Sequence, residues 1–350
     1  MKTNILSLLS LSIISTFSAS TYAVEGGTSL TWSEHPYLIE SQCTGTVIAG
    51  KYVLLAGHCA ASVDSPFPRQ VNLSNGNDMM PTARNAKPYY NVDGSWGGGA
   101  DVAIWTLPST APMDKVVFIA ELNDAASTVN IGDNVSFMGF GQDDNTPRLG
   151  QAFNTVTIKY PEIIVYEDAV AHSVPGDSGA PVFNTDNKII GVNYAGGGTI
   201  DPGTGRYDQS GVDLHFVKNW LLETIDRWHS ATELKLTGTQ TLDVQSLHVN
   251  DVDMASRWND GSLTTGDVSV TGGTCVTDGV VAPFGMCTLE ITSLGGEGKI
   301  ALEEGNEITL NRVIKPTPKP TPQPDSGSSG GSFGFASILG LLALLWCRKC

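Results

Sequence analysis

The sequence predicts an all-β protein of two successive modules, with one helix between them. Three observations carry this. The apolar stretches are short and rich in β-branched residues. Turn formers interrupt them throughout, with 39 Gly and 18 Pro among 350 residues, which argues against a helix bundle. Helical spacing is sustained only once.

The elements follow in order. Residues 46–49, 52–55, 102–105, 135–138 and 188–192 are apolar runs bounded by Gly, Pro, Asn or Asp, and read as strands. The helix covers 216–228, where Val217, Trp220 with Leu221, Thr224 and Trp228 recur at helical intervals. Beyond it, residues 233–236, 267–270, 288–291, 299–302 and 307–310 alternate apolar with polar, separated by turns such as Asn259-Asp260-Gly261 and Gly272-Gly273. Short, evenly spaced strands of this kind make a small β-sandwich.

Composition excludes some classes. With 41% hydrophobic and 16% charged residues the chain is globular. Thirty-six acidic against 20 basic residues give a net charge of −16, and such a surface repels nucleic acid. Residues 1–23 have an early Lys2, an apolar stretch over 5–17 and a Thr21-Tyr22-Ala23 ending, the pattern of a secretory signal peptide. At the other end, the Pro-rich and Ser/Gly-rich residues 315–332 read as an extended linker. Residues 333–350 are a short hydrophobic tail ending in Cys347-Arg348-Lys349-Cys350. This tail resembles the GlyGly-CTERM sorting signal of Gram-negative bacteria. The resemblance implies cutting near the glycines and release or tethering at the cell surface; a simple membrane anchor is the alternative. Membrane contact is expected only through this tail. Loss of both ends removes three of the basic residues and no acid, which leaves −19.

The cysteines sort by region. Cys43 and Cys59 lie in the first module, Cys275 and Cys287 in the second. In an exported protein two local disulfides follow. Zinc is the competing use, but neither pair has the close spacing of a structural zinc site.

Three motifs stand out in the first module. They are Cys43-Thr44-Gly45-Thr46-Val47-Ile48 followed by Val53-Leu54-Leu55-Ala56-Gly57-His58-Cys59; Gly99-Ala100-Asp101-Val102-Ala103-Ile104; and Pro175-Gly176-Asp177-Ser178-Gly179-Ala180-Pro181. Asp93 is another acid in the region, but no Val-Ala-Ile strand follows it. Ordered His, Asp, Ser and spaced by 43 and 77 residues, the motifs resemble the chymotrypsin/trypsin family of serine proteases. The match covers residues 24–229. It implies two six-stranded β-barrels with a C-terminal helix, the site in the cleft between them, and hydrolysis of peptide bonds in proteins through an acyl-enzyme. The residue types suit that chemistry. A Ser178 hydroxyl is a poor nucleophile until a base takes its proton. His58 is such a base near neutrality, and Asp101 would hold its tautomer. Backbone N–H groups of Gly176 and Ser178 would form the oxyanion hole. An esterase would use the same triad, and a catalytically weak relative would serve as a surface adhesin. No metal or organic cofactor motif is seen. The partners implied are protein or peptide substrates, together with secretion and tail-processing machinery.

Family members begin with a small β-branched residue, a second residue and two glycines. Signal cleavage after Ala23 would expose Val24-Glu25-Gly26-Gly27, so the resemblance implies that the Val24 amine pairs with buried Asp177. No pro-peptide would then exist; an earlier cut near Ala19 would leave a short one. Glu25 departs from the usual aliphatic second residue. His172, six before the nucleophile, takes the floor of the specificity pocket, with Gly196 and Gly211 on its walls. Three preferences stay open. Protonated His172 takes an acidic side chain, as in glutamyl endopeptidases; Asp213 faces the pocket and takes Lys or Arg; or the two neutralise each other and leave a slot for uncharged residues. The second module, 230–314, resembles bacterial immunoglobulin-like modules, with Cys275 and Cys287 tying adjacent strands. That implies a presentation or spacing role.

Overall fold

The computed structural model describes residues 24–60, 68–87, 100–141 and 148–313. The signal peptide at 1–23, the linker at 315–332 and the tail at 333–350, with Cys347 and Cys350, lie outside the described residues. The described residues up to Arg312 form one compact unit. No helix among the described residues is long and apolar enough to cross a membrane.

A closed barrel supports the site. Strands Leu149–Lys159, Ile163–Asp168, Tyr207–Asp213, Ile189–Ile200, Pro181–Phe183 and Asn134–Gly139 pair in that order, and the last pairs back onto Leu149–Lys159. Thr28–Leu30 joins at the side. Closure leaves the ring of six strands without a terminal strand. Alternation fills the interior: Phe137 faces Ala152 across one pair, and both are buried.

The other half is a seven-stranded sheet. Its order is Asp78–Met79, Val71–Leu73, Leu38–Glu40, Thr44–Ile48, Tyr52–Leu55, Val102–Thr106, Ala83–Lys87. Among the described residues its two end strands do not pair. The fold is thus a six-stranded barrel and a half-barrel, where the sequence implied two six-stranded barrels. Trp105, Leu54 and Ile48 are sealed inside.

The helix is shorter than its periodicity predicts. A 3-10 turn at Leu214–Val217 leads into an α-helix over Lys218–Ile225. Asp226 adopts a left-handed conformation and its N–H bonds Leu222 O at 2.8 Å, which ends the helix. Trp228 therefore leaves the helical register. It sits in strand Arg227–His229, paired with Gly238–Leu247.

That strand begins the second module, which is two four-stranded sheets around a separate core. One sheet has Arg227–His229, Gly238–Leu247, Met286–Ser293 and Ser269–Gly272; the other has Glu233–Leu234, Asn306–Leu310, Gly298–Glu303 and Thr264–Gly266. Cys275 and Cys287 are bonded. However, Cys275 lies on the short helix Thr274–Thr277, so the bridge ties a helix to a strand rather than two strands.

The seam between the modules is built from buried hydrogen bonds. His229 is fully buried; its Nδ1 accepts from Ala49 N at 3.0 Å, and its Nε2 donates to Val117 O at 2.8 Å. The Gln245 amide takes Ile119 N at 3.1 Å and gives to Ile119 O at 2.6 Å. Thr232 Oγ1 accepts from Met113 N and donates to Ala111 O. Leu247 and Phe284 pack into the core of the first module. The second module is fastened to the barrels, not strung from them.

Candidate active site

His58 follows strand Tyr52–Leu55 on a short 3-10 turn, and Asp101 precedes strand Val102–Thr106. These strands pair, Leu55 with Ala103, so the sheet itself delivers imidazole and carboxylate to one edge. Asp101 is buried. Its Oδ1 accepts from His58 N at 2.7 Å, and its Oδ2 lies 2.5 Å from His58 Nδ1. This charge-assisted bond holds the imidazole pKa above its ordinary value, against partial burial that lowers it. The His58 side chain keeps 46% exposure, so it is open to solvent.

Ser178 arrives from the other barrel. Its carbonyl accepts from Thr44 N at 2.9 Å and lies 3.8 Å from Cys59 Sγ, next to His58. The Cys43–Cys59 disulfide forms, so those two sulfurs are not free to join His58 around a metal, although the three groups cluster.

The turn before Ser178 exposes donors selectively. Asp177, Gly179 and Ala180 N–H groups bond Val174, Asn193 and Asp177 carbonyls. Among the described residues, the N–H groups of Gly176 and Ser178 bond nothing. Gly176 has φ of 100°, a conformation that a side chain disfavours. Two backbone donors thus stand unused beside the serine, as anion stabilisation requires.

The sequence profile of the family described as Trypsin matches residues 13–212, more than half of the chain. The chain belongs to the trypsin family. It is 24% identical over 191 residues to a glutamyl endopeptidase of Staphylococcus aureus (strain MW2), covering 54% of this chain and 53% of that one. A glutamyl endopeptidase of Staphylococcus epidermidis is also 24% identical, covering 51% of this chain and 61% of that one. The chain thus spans between half and two thirds of the length of these curated relatives. Among solved structures, a mutant of human heparin binding protein has a TM-score of 0.49 at 16% identity, covering 58% of this chain and 97% of that chain. The Vibrio cholerae VesB protease has a TM-score of 0.43 at 17% identity, covering 82% of this chain and 97% of that chain.

Within this trypsin-family site, Asp177 is fully buried. Its Oδ1 accepts from Gly141 N at 2.8 Å and its Oδ2 from Val174 N at 2.9 Å. Desolvation outweighs both bonds and pushes its pKa up to about 8. Val24 is buried too. Gly139 and Gly150 pair across the sheet, so any side chains would share a face. A Gly150 Cβ would lie 2.9 Å from Val24 N, and a Gly139 Cβ would fall on the Asp177 carboxylate. The two glycines leave room for the Val24 nitrogen and the Asp177 carboxylate over one spot.

The residues expected to line a specificity pocket have partners of their own. His172 is buried. Its ring stacks on Tyr207, 3.9 Å between centroids, and its Nε2 lies 3.4 Å from a Glu25 carboxylate oxygen. Asp213 neither faces the pocket nor meets His172. It caps the 3-10 turn through His215 N and pairs with Lys159 Nζ at 2.6 Å. The open side of Gly211 faces Tyr166 and Val182 in the barrel interior. Gly196 pairs instead with Gln209, which is fully buried. Gln209 Oε1 accepts from Ser173 N at 2.9 Å, and its Nε2 donates to Asn154 Oδ1 and Ala171 O. Gln209 carried no local signal in the sequence, since only strand register sets it opposite Gly196. Asn193 was missed similarly: its amide donates to Asp177 O and accepts from Tyr166 OH.

Proposed function

We propose that this protein is a secreted serine endopeptidase. Ser178 attacks the scissile carbonyl, His58 takes and returns the proton, and Asp101 keeps His58 in the right tautomer. The N–H groups of Gly176 and Ser178 take the negative charge that develops on the carbonyl oxygen. The observation that carries this reading is the His58–Asp101 hydrogen bond, with the Ser178 carbonyl 3.8 Å from the sulfur of the neighbouring Cys59. Proteins and peptides are the substrates. Signal-peptide cleavage after Ala23 delivers the chain outside the cytoplasm and creates the Val24 amine. That amine supplies the cation which Asp177 otherwise lacks, in the gap left by Gly139 and Gly150. The second module is an immunoglobulin-like presenter, and the 333–350 tail is a GlyGly-CTERM signal for surface sorting, handled by secretion and tail-processing machinery.

For the pocket we propose a preference for uncharged residues. His172 is already matched with Glu25, Asp213 with Lys159, and the strand partner of Gly196 is the neutral Gln209. The Staphylococcus relatives are glutamyl endopeptidases; cleavage after Glu by this chain would mean that substrate displaces Glu25 from His172.

A fluorophosphonate probe tests the reading. Purified exported protein labels, and Ser178→Ala does not. Absence of labelling across pH 5–9 would leave a protease-fold adhesin. A peptide library cleaved by the labelled form reads the pocket, and cleavage of esters without peptides would make it an esterase.

A further inference from the structure

Two side chains hold the turn that carries Gly176 and Ser178 from outside: Asn193, which donates to Asp177 O, and Thr44. Thr44 lies on strand Thr44–Ile48 of the half-barrel, and none of its surface is exposed. Its Oγ1 donates to Gly176 O at 3.0 Å and accepts from Phe140 N at 3.0 Å. Its backbone N donates to Ser178 O at 2.9 Å. Thr44 therefore grips carbonyls on both sides of Asp177. It also grips Phe140, which follows the barrel strand Asn134–Gly139.

We infer that Thr44 is a positioning residue for the oxyanion donors: its hydroxyl fixes the Gly176–Asp177 peptide and so aims the Gly176 N–H. The inference rests on the protease reading above and deepens it. The physical reason is the geometry at Gly176. A glycine at φ of 100° has other conformations open to it, and rotation about it turns its N–H away. Asp177 restrains the turn from one side through Gly141 and Val174. Thr44 restrains it from the other, and both its hydroxyl bonds are buried, where a lost partner is not replaced by water. The hydroxyl belongs to the half-barrel, and both of its partners belong to the barrel. Donor placement therefore depends on how the half-barrel and the barrel are seated.

The hydroxyl, not the methyl, is the active part, and the test separates them. Thr44→Val keeps shape and removes both bonds. In the exported protein, with a fluorogenic peptide chosen from library cleavage, kcat falls by about 10- to 100-fold at a KM within twofold. Thr44→Ser keeps kcat within about threefold, because it restores the bonds. The affinity for a peptide aldehyde, which forms an oxyanion, falls in step with kcat, while affinity for the matched unreactive amide does not. A structural role alone would move both ligands together. Thr44→Val with wild-type kcat, or Thr44→Ser as impaired as Thr44→Val, overturns the inference. If Thr44→Val does not fold, the Ser variant and the aldehyde-to-amide ratio of Thr44→Ala decide it by the same criteria. A wild type that no fluorophosphonate labels overturns the protease reading, and this inference with it; a labelled wild type indifferent to Thr44→Val overturns this inference alone.

Discussion

Two imidazoles mark two differently built regions. His58 stands half exposed in the cleft, with a carboxylate on Nδ1 that raises its pKa. His229 lies fully buried in the seam beneath the second module, and desolvation, with Lys188 nearby, lowers its pKa to about 4. One residue type does opposite work. In the cleft, a charged partner and water keep the proton available near neutral pH. In the seam, neutral His229 accepts from Ala49 and donates to Val117. Protonation would set an N–H donor on Nδ1 against the Ala49 N–H. Access to water and the charge of the neighbour, not the side chain, decide whether a histidine reacts or binds.

The strongest test of this contrast removes the cleft carboxylate. Asp101→Asn should lower kcat/KM by on the order of 10⁴-fold, because the imidazole is held in the wrong tautomer. Steady-state hydrolysis checks it, with the melting temperature close to wild type. A fall of under tenfold would leave Asp101 outside the mechanism.

Acid should attack the seam next. The His229 pKa is depressed in the folded protein, so its neutral form contributes fully above about 6.5. That contribution is lost as pH falls toward about 4. Chemical denaturation between pH 7 and 4 should lose on the order of 3 kcal/mol that His229→Gln does not lose. Equal acid sensitivity in both proteins would place the weak point elsewhere. Cutting the seam at its other bond, Gln245→Leu should destabilise by about 2 kcal/mol, since Ile119 N–H and C=O are left buried without partners. Urea unfolding measures it, and activity per folded molecule should stay unchanged.

The smallest effect is a shift in the pH profile. His58 must be neutral to accept a proton, and its pKa is raised. The acidic limb of kcat/KM should therefore fall above 6.5 in the wild type and move lower in Asp101→Asn. A limb that does not move would show that another group titrates there.

Most of the first module was legible in its residues. The runs at 52–55 and 102–105 became paired strands, and they bring His58 and Asp101 into contact. Local chemistry was enough because each motif carries its own turn. The helix was overdrawn because Trp228 continues the apolar period into a strand, where the second core claims it. Strand Gly238–Leu247 went unread, although it is the longest of the second module, because Thr and Gln fill its exposed start. His172 and Asp213 were assigned a pocket by position along the chain, whereas their partners Glu25 and Lys159 come from distant segments.

By itself, the sequence determined the β architecture, the two disulfide partnerships and the three residues proposed for the site. These depend on periodicity, on cysteine position and on short motifs whose meaning is local. Tertiary structure alone decided that Gln209 faces Gly196, that Thr44 grips the Ser178 turn and that the second module is fixed by His229 and Gln245. Each of these is a contact between segments far apart in the chain. Strand register and barrel closure, which act over the whole fold, choose such partners, and no run of neighbouring residues encodes that choice.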